Sequence, residues 1–350
     1  MLLTRTRCVR LVLVAAVLGL GAGLTPPAAP ASAAPALASG ASAGEACPRQ
    51  MLGAPAGTRR AGIADADPTG RFQAGYVEDA SFISRLALWT DGVAQPQTLG
   101  AEHPGVTGVN SHGDMVGSDF FPEGGGRGWS YRNGEFNTLP GLSAGASGFP
   151  AAVNAEGTAA GSSLDGGAFL PVLWAPDGAV RQLALPEGDT RGQAQDIDDD
   201  GTVVGWASTD AGVTHAVRWL PDGSVERLPG TPPQDGSRAT AVRGGNVIGQ
   251  VIPDTGDSSM LLWRWDTASP QAFTGTPQAV NARGAVVELT SYYVKLQLTE
   301  PDGTVRSLPT DTTPYPTGHV VALTDAGVAY GNWNSTPVKW DCRPAALAER

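Results

Sequence analysis

The chain has 350 residues, a formal net charge of −11 at pH 7 and a sequence pI near 4.8. Such an acidic surface is a poor partner for nucleic acid or anionic lipid, because both carry charge of the same sign. With 47 glycines, 28 prolines and only 16% charged residues, the composition argues against long helices and favours many short strands joined by turns.

Residues 1–33 have the composition of a secretory signal peptide. Arginines in MLLTRTRCVR precede the apolar run LVLVAAVLGLGAGL, and small residues with an A-S-A site follow. We expect cleavage near Ala33 and a flexible Ala/Ser/Gly leader over residues 34–46. The apolar run is too short and too rich in glycine for a membrane span, so we expect an exported protein without one.

One stretch, residues 194–230, defines the unit that the chain repeats. Four short apolar or alternating runs, AQDI, TVVGWA, HAVRW and SVERL, read as strands. The turns DDDG and PDG separate the first two and the last two, and their glycines suit tight hairpins. Four antiparallel strands of this kind form one blade of a β-propeller.

The unit recurs along most of the chain. A glycine that opens each second strand repeats at intervals of 39 to 44 residues, a period typical of propeller blades. The members of this series are Gly70, Gly113, Gly157, Gly201, Gly245, Gly284 and Gly327. A tryptophan marks the third strand of six units: Trp89, Trp129, Trp174, Trp219, Trp263 and Trp340. We therefore predict an all-β fold, a seven-bladed propeller over residues 47–345 with a tail at 346–350.

The two cysteines of the mature chain predict how the ring closes. Cys8 leaves with the signal peptide, and the seventh unit ends near Cys342 without a fourth strand. Cys47 precedes PRQMLG, which resembles the fourth strand VERLPG. We predict that this N-terminal strand completes the last blade and that a disulfide joins Cys47 to Cys342, as an oxidising compartment permits.

The repeated pattern resembles the HAF family of extracellular repeats. The resemblance is clearest in QDIDDDGTVVGW and THAVRWLPDGSVERLPG, is fainter in AVNAEGTAAG and LTDAGVAYG, and spans about residues 61–341. It implies a fold built from turns and core positions and implies no catalytic residues. The sixth unit departs most, with Glu288 in place of the second glycine and Thr299 in place of the tryptophan.

Three motifs suggest chemistry, and each has a structural alternative. GLSAG around Ser143 matches a nucleophile elbow but lies in a loop between blades. STDAGVTH resembles one degenerate sialidase Asp-box. DIDDDG offers a weak calcium candidate in Asp196, Asp198 and Asp200, with a solvated hairpin turn as the preferred interpretation. The four histidines lack zinc-ligand spacing, so we expect no zinc site and no other cofactor.

Loop diversity predicts where function lies. Connections between second and third strands, and between blades, differ in every unit and emerge on one face, whereas the other turns are short and stereotyped. The candidate binding residues on that face are Phe120, Phe121, Arg127, Phe149, Asp165, Arg191, Trp206, Asp210, Arg238, Asp254, Asp257, Tyr315 and His319.

We expect a secreted, monomeric, non-enzymatic module that binds an extracellular carbohydrate, peptide or protein. The alternatives are a sialidase-like glycoside hydrolase and a structural repeat protein of the cell envelope.

Overall fold

The computed structural model describes residues 44–96, 104–120, 126–231, 235–253, 259–264, 269–273, 275–290, 295–310 and 318–343. In this part of the chain all regular structure is β, in seven four-stranded antiparallel sheets. The same residues contain no helix long and apolar enough to cross a membrane. The predicted signal peptide, the leader up to residue 43 and the tail lie outside the described residues.

Each sheet is one blade. In the first six blades the strands follow chain order from the channel outwards, and in the seventh the outermost strand comes from the N-terminal part of the chain. Blade 1 comprises β2 (Thr58–Ala66), β3 (Phe72–Asp79), β4 (Ser84–Thr90) and β5 (Val93–Pro96). Blade 2 comprises β6 (Pro104–Val109), β7 (Met115–Phe120), β8 (Gly126–Arg132) and β9 (Glu135–Leu139). Blade 3 comprises β10 (Ser147–Val153), β11 (Ala159–Asp165), β12 (Ala168–Trp174) and β13 (Val180–Gln182). Blade 4 comprises β14 (Arg191–Ile197), β15 (Val203–Ser208), β16 (Thr214–Trp219) and β17 (Val225–Arg227). Blade 5 comprises β18 (Gly236–Arg243), β19 (Asn246–Ile252), β20 (Ser259–Arg264) and β21 (Gln271–Phe273).

Blade 6 comprises β22 (Thr276–Val280), β23 (Val286–Leu289), β24 (Leu296–Thr299) and β25 (Val305–Leu308). Blade 7 comprises β26 (Gly318–Leu323), β27 (Val328–Trp333), β28 (Thr336–Asp341) and, as its outermost strand, β1 (Arg49–Met51). The four-strand unit and the seven-fold repeat predicted from the sequence are confirmed.

Turn chemistry explains the hairpins of the repeat. In blade 4, Gly201 adopts φ 85° and Gly223 adopts φ 88°, in the left-handed region that glycine enters without steric cost. The Gly201 N–H donates to the carbonyl of Asp198, which closes the turn. The glycines that set the sequence period thus stand where the backbone requires them.

The repeated tryptophan and the repeated L-P-G segment meet between blades. The Trp174 indole N–H donates to the Pro140 carbonyl at 2.8 Å, and Trp263 donates to the Pro229 carbonyl at 2.8 Å. Trp174 is fully buried, so its polar N–H needs such a partner. Each of these rings therefore ties its own blade to the chain that leaves the preceding blade.

The chain ends close the ring as predicted. β1 pairs antiparallel with β28, with Arg49 opposite Trp340. A disulfide joins Cys47 to Cys342, whose Cα atoms lie 4.6 Å apart across 295 residues of sequence. Both cysteines are buried in the core of blades 6 and 7. The outer edge of β28 is thus covered by a strand rather than left open for pairing with another chain.

Candidate functional site

The blades give the molecule two different faces. We call the face that carries the connections between blades and between second and third strands the long-loop face, and the opposite one the short-turn face. The sequence predicted long second-to-third connections in every unit, and this is wrong for two blades. Gly166 and Gly167 in blade 3, and Asn334 and Ser335 in blade 7, form two-residue turns with positive φ at both positions.

The short-turn face is held by hydrogen bonds between neighbouring blades. The Asn110 side chain accepts from the backbone N–H of Asp114 and donates to the Asn154 carbonyl of the next blade at 2.9 Å. Asn281 repeats this role, donating to the Thr324 carbonyl at 3.1 Å. The asparagine of the N-x-x-G pattern therefore holds neighbouring blades together, and its own side-chain polar atoms are engaged in doing so.

The first strands of the blades line a central channel with a cavity of about 210 Å³. Asp65 accepts a hydrogen bond from the Val109 N–H at 2.9 Å, and Asp196 accepts from the Val242 N–H at 2.8 Å. Burial raises the pKa of Asp65 to about 7, and the nearby Asp196 charge acts in the same direction. Burial also raises the pKa of Asp196, which the Arg243 guanidinium opposes. The channel thus contains two carboxyls that resist ionisation.

The weak calcium candidate finds no support in this geometry. Asp196 points into the channel, whereas Asp198 accepts from the Gly244 N–H at 2.6 Å and Asp200 accepts from the Thr202 N–H at 2.8 Å. Each carboxylate serves its own backbone partner. Across the described ranges no group of three or more His, Cys, Asp or Glu side chains is arranged to hold a metal ion.

Eight of the thirteen predicted binding residues lie on or near the long-loop face with described side chains: Arg127, Phe149, Asp165, Arg191, Trp206, Asp210, Arg238 and His319. Only the backbone of Phe120 is described. The other four, Phe121, Asp254, Asp257 and Tyr315, lie outside the described residues.

The eight do not form one cluster. The Arg238 guanidinium lies 5.0 Å from the Trp206 ring centroid, and this pair bridges blades 4 and 5. Two others are used locally: Asp165 accepts from the Ser143 hydroxyl at 2.9 Å, and Asp210 accepts from Thr190 at 2.7 Å.

A second set of contacts joins further candidates to their own blades. Arg127 forms an ion pair of 2.9 Å with the buried Asp119. Arg191 donates to the Thr209 carbonyl at 3.4 Å, and the Phe149 ring packs edge-on against Phe169. These side chains support individual loops. They lie on the long-loop face, where the sequence prediction placed them, but they do not line a shared pocket.

A cavity of about 390 Å³ lies where blade 7 meets blade 1, and we call it the seam cleft. Its lining residues are Ala61, Gly62, Ile63, Ala64, Tyr76, His319, Val321, Asn332 and Ser335. Gly62 and Tyr76 are directly opposed on β2 and β3, and the ring lies against the glycine backbone. A Cβ at Gly62 would stand 2.7 Å from the Tyr76 Cε1 atom, so only glycine accommodates the ring in this position.

Asn332 fixes the inner wall of the seam cleft. Its Oδ1 accepts from the Ile63 N–H at 2.8 Å, and its Nδ2 donates to the Ile63 carbonyl at 2.6 Å. The same Nδ2 lies 3.2 Å from Nε2 of His319. Burial lowers the pKa of His319, which favours the neutral ring.

Blade 1 also exposes two large apolar side chains on the long-loop face. Phe82 is 68% exposed and Ile83 is 51% exposed. Phe82 has φ 64°, a conformation that costs a bulky residue roughly 1–3 kcal/mol. The Asp79 carboxylate accepts from the Ile83 N–H at 3.1 Å and so holds the turn, while the Arg59 guanidinium lies 4.1 Å from the Phe82 ring centroid.

Comparison with known proteins supports the fold. No protein-family model matches the chain, and no curated protein matches it in sequence. The chain is similar in structure to a streptogramin B lyase, with TM-score 0.50 and 13% identity over 84% of this chain and 97% of that one. It is also similar to YCF48 from Cyanidioschyzon merolae, with TM-score 0.52 and 11% identity over 84% and 98%.

A third similar structure is a puromycin-hydrolysing peptidase from Mycobacterium tuberculosis, with TM-score 0.54 and 13% identity over 83% of this chain. The present chain spans about half of that peptidase, 52% of its length. At such identities the likeness shows the propeller fold alone, and the resemblance to HAF repeats stays a prediction.

Sequence reasoning missed Tyr76, Asn332, Phe82 and Ile83. Tyr76 and Asn332 directly follow the second glycine of their blades. That position holds Ser118, Ser162, Trp206 and Gln250 in blades 2 to 5, so alignment of the repeats does not single them out. For Phe82 and Ile83, the apolar residues within the polar loop sequence EDASFIS were an available signal.

Proposed function

We propose that the protein is an extracellular binding module that recognises its ligand through the long-loop face. One observation carries the proposal: on this face an aromatic side chain, Phe82, is held exposed in a strained backbone conformation. Strain of this kind persists where the surrounding structure enforces it and is concentrated at functional sites. The adjoining Ile83 enlarges the apolar surface, and surface of this kind marks sites of interaction.

The contrast between the faces supports the same proposal. On the short-turn face the repeated asparagines are engaged by neighbouring blades. Diverse loops on a rigid scaffold suit recognition. The buried disulfide and the signal-like N-terminus support export to an oxidising compartment.

The proposal is tested by capture of ligands with the purified exported protein. An oligosaccharide array and a cell-wall pull-down are run with the unaltered protein, with Ile83→Ser and with Val93→Ser. Ile83 and Val93 are both exposed apolar residues of blade 1, but Val93 begins β5 next to a short turn. We expect Ile83→Ser to reduce capture at least fivefold and Val93→Ser to leave it unchanged.

The two alternatives give different results in the same assays. A structural envelope protein would show no saturable capture by any probe. A glycoside hydrolase would release reducing ends from the captured oligosaccharide, and a single carboxylate substitution on the long-loop face would abolish that release. Equal losses in both variants would contradict recognition by the long-loop face.

A further inference from the structure

The tautomer of His319 follows from its hydrogen bond with Asn332. Because Oδ1 of Asn332 accepts from the Ile63 N–H, the amide orientation is fixed and the atom facing His319 is the donor Nδ2. Nε2 of His319 therefore accepts, and the ring hydrogen is on Nδ1. Among the described residues none accepts a hydrogen bond from this Nδ1, and His319 lines the cleft.

The opposite wall supplies an aromatic surface. Tyr76 is 39% exposed and its ring is held against Gly62 by cross-strand pairing. Its hydroxyl can both donate and accept, as can the Ser335 hydroxyl at the rim. A volume of about 390 Å³ lies within the range of small-molecule pockets, roughly 300–1,000 Å³.

The lining determines the class of ligand. No Asp, Glu, Lys or Arg is among the described residues that line the cleft, so this lining offers no counter-charge to an anion or a cation. An aromatic ring beside a fixed N–H and two hydroxyls matches a sugar ring, whose C–H face packs on aromatic carbon while its hydroxyls donate and accept.

We propose that the seam cleft is a binding site for a neutral saccharide, with Tyr76 as the packing surface and the Nδ1–H of His319 as the directional donor. This assignment rests on the proposed function and adds to it a location and a ligand class. Asn332 acts as a positioning residue, because it orients His319 and joins blades 7 and 1 through Ile63.

The test is titration calorimetry of the full exported protein with four probes: maltotriose, cellotriose, N,N′,N″-triacetylchitotriose and, as the charged counterpart, trigalacturonic acid. We expect at least one neutral probe to bind with a Kd in the micromolar to millimolar range and the acid to bind at least tenfold more weakly. Tyr76→Ala and His319→Ala should each weaken that binding at least tenfold.

Matched variants separate the site from general damage. His215→Ala removes a histidine at the start of β16 in blade 4 and should leave Kd unchanged. Gly62→Ala deletes no ligand-contacting group but displaces the Tyr76 ring, and it should weaken binding like Tyr76→Ala. Thermal unfolding of every variant identifies those that remain folded at the titration temperature. Tyr76→Phe keeps the ring and should keep most of the binding, and Gly62→Ala tests the position of the ring if Tyr76→Ala does not fold.

The outcomes are distinguishable from those for the proposed function. If a neutral probe binds but Tyr76→Ala and His319→Ala bind it equally well, the seam cleft is the wrong site and recognition by the long-loop face stands. If none of the four probes binds while the protein still captures cell-wall material in an Ile83-dependent manner, the saccharide assignment is overturned and the proposed function is not.

Discussion

The carboxylate of Glu288 accepts a hydrogen bond from the Thr299 hydroxyl at 2.9 Å inside blade 6. These residues occupy the positions at which other blades place a glycine and a tryptophan, and in blade 5 a Cβ at Gly249 would stand 2.7 Å from the Trp263 ring. The same Cβ would stand closer still to the Arg238 carbonyl oxygen, so glycine is needed there because the first strand and the indole both approach closely. Blade 6 has exchanged both members of the pair together, and the buried Glu288 also accepts from Gln297 at 2.9 Å.

This exchange predicts strong coupling between the two positions. Glu288→Gly alone removes a buried acceptor and leaves a void, which should cost about 2–4 kcal/mol of the free energy of unfolding. Thr299→Trp alone overpacks against Glu288 and should cost about 1–3 kcal/mol. The double variant recreates the pattern of the other blades and should regain most of the loss, with a coupling energy of about 2 kcal/mol.

Urea unfolding of the four proteins measures the cycle. Glu288→Gly combined with Val93→Ser, an exposed change in blade 1, is the control and should be additive. Additive losses in the Glu288 and Thr299 pair would show that the two substitutions in blade 6 are independent.

The closing disulfide should contribute strongly to stability. The loop between Cys47 and Cys342 spans 295 residues, for which chain entropy predicts a stabilisation of about 6 kcal/mol at most. We expect the Cys47→Ala, Cys342→Ala double variant to unfold at a clearly lower denaturant concentration than the oxidised protein. The natural protein with its disulfide reduced should unfold at the same denaturant concentration as the double variant. An unchanged midpoint would mean that β1 pairing alone holds the ring closed.

The ionisation of Asp65 should make stability depend on pH. Its pKa is about 7 in the folded protein and roughly 3.9 when unfolded, so between these values the folded state binds more protons. Stability from this group is therefore present below pH 4 and is lost as the pH rises to 7. Asp65→Asn keeps an acceptor for the Val109 N–H and removes the titration.

Guanidinium unfolding at pH 5 and pH 8 tests this effect. Between pH 5 and pH 8 the stability of the Asn variant relative to the natural protein should rise by at most about 3 kcal/mol, which corresponds to the two pH units between pH 5 and the folded-state pKa. Asp177→Asn, which removes a carboxylate from an exposed turn, is the matched control for loss of one surface charge. A gain that is equal at both pH values would contradict a raised pKa at Asp65.

Much of the architecture could be predicted because the repeat encodes it locally. Gly201 and Gly223 predict the positions of the turns, and the similarity of PRQMLG to VERLPG predicts the closing strand. The seam cleft could not be predicted in this way, because Tyr76 and Asn332 are 256 positions apart and meet only when the ring closes. The sequence pointed to His319 as a loop-face residue but gave no sign of Asn332, the neighbour that sets its tautomer.

Relief of strain at Phe82 should separate stability from recognition. Phe82→Gly places glycine at φ 64° and removes an exposed ring, so we expect a gain of about 1 kcal/mol in the free energy of unfolding. Binding at the long-loop face should fall at least fivefold in the same variant, because the exposed aromatic surface is lost.

Asn133→Gly provides the matched control, since Asn133 also has positive φ, 51°, but lies on a short turn of blade 2 and tolerates that conformation. It should gain less stability than Phe82→Gly and leave ligand capture unchanged. Thermal unfolding and cell-wall capture measure the two properties on the same samples. If Phe82→Gly gained stability and kept full capture, the strained aromatic would have no part in recognition, and the proposed binding face would lose its principal support.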